Sequence, residues 1–144
     1  MRAAILCAVL ALYPASANAG ETTLIDTSVL PSKIIYEVAE LRPLALTEAG
    51  TPAVVLVDLD AGDVVAPHPA PAVARIITVV SGTVWFGDGD ELVEAQETAF
   101  DAGSVLVMPA NQMHWAAARR GPVRLQLVVL DDEVVVPQVA AQLD

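Results

Sequence analysis

Between residues 53 and 130 the chain is a succession of short apolar runs broken by turn-forming residues. AVVLVDLD (53–60), RIITVVSG (75–82), TVWFGDGDEL (83–92), SVLVMPA (104–110) and VRLQLVVL (123–130) are rich in β-branched residues or alternate apolar with polar positions. Each is bounded by Gly, Pro, Asp or Asn. Runs of this length and spacing predict an all-β fold, a sandwich or barrel of antiparallel strands. Within the third run, GDGD at 87–90 predicts a hairpin, because Gly and Asp tolerate the positive φ angles of tight turns. A phosphate cradle is the other reading of paired glycines. Asp88 and Asp90 would repel phosphate, and no helix pattern follows, which excludes it.

Two stretches echo each other. DAGDVVAPH (60–68) and DAGSVLVMP (101–109) both run Asp-Ala-Gly, then a strand pattern, then proline. Two related β units about forty residues apart suit a barrel built from two similar halves. Ahead of them, residues 20–52 carry breaks at Pro31 and Pro43 and read as an extended lead-in, with an edge strand near Lys33–Val38. The barrel is expected over 53–136, ending in a strand at Val134–Val136, with 137–144 as a tail. No low-complexity linker marks off a second domain.

The first 19 residues have a different origin. Met1-Arg2, the apolar run AAILCAVLAL, a break at Pro14 and the small residues Ala17-Asn18-Ala19 match the three regions of an export signal. The run is too short to span a bilayer. Cleavage after Ala19 places the mature protein in the periplasm or outside the cell and removes Cys7, the single cysteine. The mature chain then has no disulfide and no thiolate ligand. Its charge is strongly acidic, formally −11 for the whole chain. That field repels phosphate backbones and anionic lipid, which argues against nucleic-acid and membrane partners.

Candidate chemistry concentrates on two histidines. Gly62 is followed after five residues by His68; position 70 is Ala, four more residues lead to Arg75, and six more reach Gly82. Downstream, Gly103, Pro109 and His114 fall at fixed spacings, with Asn111 and Ala118 around them. This pattern resembles the cupins. Their first motif runs glycine, five residues, His-x-His, three or four residues, Glu, six residues, Gly. Their second runs glycine, five residues, Pro-x-Gly, two residues, His, three residues, Asn. The resemblance covers roughly residues 53–130 and looks closest to small exported single-domain bacterial cupins. It implies an antiparallel jelly-roll β-barrel with a pocket inside one end, and pairing into homodimers through the sheets.

In that family the two first-motif histidines, the glutamate and the second-motif histidine hold one divalent metal. Carried over by position, only His68 and His114 remain as metal ligands, because Ala70 removes one imidazole and Arg75 replaces the carboxylate. Three protein ligands usually hold a catalytic divalent ion, and a guanidinium beside it repels a cation. The leading expectation is therefore an exported barrel that binds a small molecule, such as an organic acid, without a complete metal site. His68, Arg75, His114 and Gln126 are its ligand-binding candidates, and Arg75 is the fork for a carboxylate. Two alternatives stand beside it. One is a metal-dependent enzyme of dioxygenase or isomerase type, completed by an unorthodox ligand. The other is a non-catalytic structural or oligomerisation module with a vestigial pocket, in which Arg75 points outward or pairs with Asp60 or Asp101. Glu94 and Glu97 are expected to face solvent, Trp115 to point away from His114, and Arg119-Arg120 to form a solvated turn.

Overall fold

The structure, a computed structural model, describes residues 22–71 and 73–130. The expected export signal at 1–19, Cys7 and the expected strand at 134–136 lie outside them. Ten strands form in chain order: β1 Lys33–Ile35, β2 Ala39–Leu46, β3 Pro52–Leu59, β4 Val64–Pro69, β5 Arg75–Ser81, β6 Thr83–Asp88, β7 Thr98–Asp101, β8 Val105–Met108, β9 Met113–Ala117 and β10 Val123–Val129. Among the described residues the one helical element is a single 3-10 turn, Glu94–Gln96. The strands make two antiparallel sheets, one in the order β1-β2-β3-β10-β5-β8 and the other β4-β9-β6-β7. This is the expected all-β jelly roll.

Alternation along the strands builds the core. Val55, Val57 and Leu59 of β3, Ile77 and Val79 of β5, and Val123 and Leu125 of β10 are buried on the inner face of the larger sheet. Val65, Val84 and Ala116 meet them from the smaller sheet. Successive side chains on a strand point to opposite faces, so every second residue can be apolar and inward. Arg124 and Asp58, at outward positions on paired strands, join instead in a two-pronged ion pair with Nε–Oδ1 at 2.6 Å and Nη2–Oδ2 at 3.0 Å.

The sequence echo is a structural repeat. In each Asp-Ala-Gly turn the amide three residues after the aspartate donates back to its carbonyl: Asp63 to Asp60 at 3.1 Å, Ser104 to Asp101 at 3.0 Å. Gly62 and Gly103 then close the turns at φ of 92° and 93°. Side-chain-bearing residues rarely adopt that region, which is why glycine recurs there.

Two expectations need correction. The edge strand expected near Lys33–Val38 forms as β1, but the barrel begins before residue 53, because β2 pairs along β3. Pro43 inside β2 masked this strand. It is tolerated because β1 covers only Ala39–Leu41, leaving no partner for the missing N–H, and because the register shifts beside it. The GDGD stretch is not a tight hairpin either. β6 and β7 do pair, but a loop over 89–97 with the 3-10 turn joins them.

Candidate functional site

A cavity of about 750 Å³ lies between the sheets, walled mainly by apolar side chains of β2, β3, β5 and β10. His68, Arg75, His114 and Tyr36 supply its polar groups, with Lys33, Thr47 and Thr51 also on the lining. Its size falls in the usual range for small-molecule pockets, and such sites combine apolar walls with a few placed polar groups.

The histidines are neighbours across the β4–β9 ladder, where His68 and His114 are register partners. Their ring centroids are 4.3 Å apart, edge to face. The same local device orients both. His68 Nδ1 lies 2.8 Å from the Ala66 carbonyl oxygen, and His114 Nδ1 lies 3.2 Å from that of Gln112. A carbonyl oxygen only accepts, so each Nδ1 carries a proton and donates it. In the neutral form of a ring so bound, Nε2 is left as an acceptor. Burial holds the His114 pKa below the ordinary histidine value. The Gln112 hydrogen bond opposes this, His68 and Arg75 add to it, and Asp88 opposes it.

Tyr36 covers His68, with ring centroids 3.8 Å apart. It sits in the β1–β2 turn, where Tyr36 and Glu37 take φ of 49° and 69°. Two consecutive non-glycine residues in the left-handed region store strain, and such strain gathers at ligand sites. No turn-forming residue announces this in the sequence, so Tyr36 could not be found there. Phe86, 6.0 Å from the His114 ring, is the other aromatic wall.

Arg75 starts β5 and faces inward with Ile77, on the cavity lining. It is half-buried, and burial lowers its pKa from the ordinary value while Tyr36 opposes the shift. A guanidinium stays charged under such a perturbation. No carboxylate among the described residues forms an ion pair with it. Asp101 accepts instead from the Thr83 hydroxyl at 2.7 Å, and neither Asp60 nor Asp101 pairs with Arg75.

Gln126 is the candidate the structure does not bring to the site. Leu125, Leu127 and Val129 line the cavity, so Gln126 and Val128 lie on the opposite, outer face of β10. Alternation with Arg124 carries the polar residues outward together.

The outer face of the smaller sheet holds a cluster around Glu97, which was expected in solvent and is not, whereas Glu94 is exposed as expected. Trp115 points away from His114, as expected, and is fully buried. Its Nε1 donates to Glu97 Oε1 at 2.9 Å. Arg119 Nε donates to the other oxygen of Glu97 at 3.0 Å, and Arg119 Nη1 reaches Glu94 at 3.0 Å. The Glu97 side chain is 2% exposed. Arg120 stacks over Trp85 at 5.2 Å. Arg119 is therefore not a solvated charge but ties Glu97 and Glu94 together, while Arg120 stays exposed and stacks on Trp85.

The donor set does not fit the metal that the cupin resemblance implies. Two imidazoles face the cavity, but Arg75 stands where the carboxylate would compensate the ion's charge. Among the described residues no group of three or more His, Cys, Asp and Glu side chains is arranged to hold a metal ion.

Solved structures share the fold at low identity. A predicted oxalate decarboxylase from Thermotoga maritima matches at 16% identity and TM-score 0.59, over 74% of this chain and 97% of that one. KdgF from a Halomonas species matches at 21% and 0.55, over 78% and 96%. The polyketide cyclase RemF from Streptomyces resistomycificus matches at 10% and 0.60, over 82% and 89%. Comparison with curated proteins gives no match. The cupin family model matches residues 37–141, taking in the strand that Pro43 disguised, and the chain belongs to the cupin family.

Proposed function

We propose that this cupin binds an organic acid in the barrel cavity, its carboxylate on Arg75 and its apolar body against the walls of β3 and β10. One observation carries the reading: Arg75 faces a mainly apolar cavity with no carboxylate partner among the described residues. Buried or half-buried guanidinium groups normally have one. With Nδ1 engaged by a backbone carbonyl, each histidine leaves Nε2 for a hydroxyl or a second polar group of the ligand. No metal takes part in this reading. The protein works outside the cytoplasm, with residues 1–19 removed on export, so intact mass of the exported protein is expected to correspond to a chain starting at Gly20. Retention of those residues would contradict export by this signal.

A thermal-shift screen of organic acids tests the binding reading, since a ligand that binds only the folded state raises Tm. The expected result is stabilisation by carboxylates that is lost in Arg75→Ala. Stabilisation that survives Arg75→Ala overturns it. Stoichiometric metal that disappears in a His68→Ala, His114→Ala double variant would overturn it too, in favour of a metal-dependent enzyme.

A further inference from the structure

A second chamber of about 450 Å³ adjoins the cavity, and the two share Ile77, Phe86, Met108 and His114 on their linings. Their charges are opposite. Arg75 lines the first chamber and not the second, whereas Asp88 lines the second and not the first. His114 lines both. Asp88 is its register partner across the β6–β9 ladder, and alternation from Phe86 turns Asp88 to the same face. No basic side chain among the described residues forms an ion pair with Asp88. Asp88 also acts on the His114 ring in the sense opposite to Arg75. A cationic group thus lines one pocket and an anionic group the other, and the two pockets share one imidazole and apolar walls. Of the residues shared by the two linings, Met108 is the flexible one and can re-pack to let a chain through.

We propose that the ligand is dipolar, an ω-amino acid or similar zwitterion, whose carboxylate meets Arg75 and whose ammonium group reaches past His114 to Asp88. This rests on the carboxylate reading of Arg75 and extends it to the far end of the ligand. A simple fatty acid satisfies only one of the two chambers. A dipolar chain places a cation opposite Asp88 and an anion opposite Arg75, with methylene groups along Phe86 and Met108. A partly exposed ion pair contributes modestly, so the ammonium adds about threefold in affinity.

Calorimetric titration of straight-chain acids from butanoate to octanoate, and of their ω-amino counterparts, tests this. In the wild type one amino acid of the series is expected to bind about threefold tighter than its parent acid. In Asp88→Asn that advantage disappears while the parent acid binds as before; Asp88 is exposed, so the variant is expected to fold. Equal binding of both series to the wild type overturns the proposal, as does an advantage that persists in Asp88→Asn. So does an alkylamine binding as tightly as the amino acid, because the acidic surface would then account for the effect. If no acid of either series binds, the carboxylate reading falls and this proposal with it. Loss of the amine preference alone leaves the carboxylate reading standing.

Discussion

Gly87→Ala is expected to destabilise the barrel by about 3 kcal/mol or more, with a fall in Tm of about 10 °C or more. Gly87 and Trp115 are register partners on β6 and β9, and the indole occupies the space beside the glycine. A Cβ at position 87 would stand 2.0 Å from Cζ2 of Trp115 and 2.1 Å from Cε2. Trp115 cannot move aside, because it is fully buried and its Nε1 is tied to Glu97. Overpacking of this kind forces backbone shifts in both strands. Gly121→Ala is the matched control. A Cβ there meets nothing within 4 Å, so its effect is expected to stay within about 0.5 kcal/mol. Thermal or urea unfolding of the two variants checks the contrast. Equal stability of Gly87→Ala and Gly121→Ala would show that Trp115 does not occupy this groove.

Glu97→Ala carries the second large effect, about 2–3 kcal/mol. The carboxylate is almost wholly buried and serves three donors, Trp115 Nε1 and two nitrogens of Arg119. Its removal leaves the buried Trp115 Nε1 without its acceptor and takes two of the three bonds of Arg119, and an unpaired buried donor costs more than the intact bond contributes. The loss stays below that of a fully enclosed ion pair because Arg119 is 24% exposed and retains Glu94. Glu97→Gln keeps an acceptor for the indole and is expected to lose less.

The same group sets a pH dependence. The Arg119 hydrogen bond is the main cause that holds the Glu97 pKa below its ordinary value of 4.5; burial opposes the shift, and the Trp115 hydrogen bond and Arg119 charge reinforce it. A depressed carboxylate pKa contributes stability that is fully present above the unfolded value and fades as pH falls through the folded one. The stability gap between wild type and Glu97→Gln is therefore expected to be constant near neutrality and to shrink below about pH 4. A gap that stays constant through and below about pH 4 would contradict the ion pair.

Much of the barrel was legible because both sheets alternate. The apolar runs at 53–60, 75–82, 83–92, 104–110 and 123–130 became β3, β5, β6, β8 and β10. β9 was harder to see, since its Ala116 and Ala117 lack β propensity. They are small because Phe86 and Trp85 are their partners across the ladder. Of the site, the spacing from Gly62 and Gly103 located His68 and His114, while the direction of Arg75 stayed open in the sequence and is inward because it shares a face with Ile77. Gln126 is polar and lies on a barrel strand, which suits a pocket residue, but parity with Arg124 puts it outside. Tyr36 owes its position to backbone angles that Tyr and Glu do not advertise. Glu97 looked like a solvated loop charge because its partners lie 18 and 22 residues further along the chain.

The account centres on Arg75 as the carboxylate receptor of an apolar cavity. Calorimetric titration of hexanoate against hexanamide, in the wild type and in Arg75→Gln, tests it most directly. The two ligands share an apolar body and differ in charge at the head. Charge-assisted hydrogen bonds to a guanidinium predict that hexanoate binds the wild type about tenfold to a hundredfold tighter than the amide. In Arg75→Gln that preference is expected to vanish. Equal affinity for acid and amide in the wild type, or an acid preference undiminished in Arg75→Gln, would contradict the account.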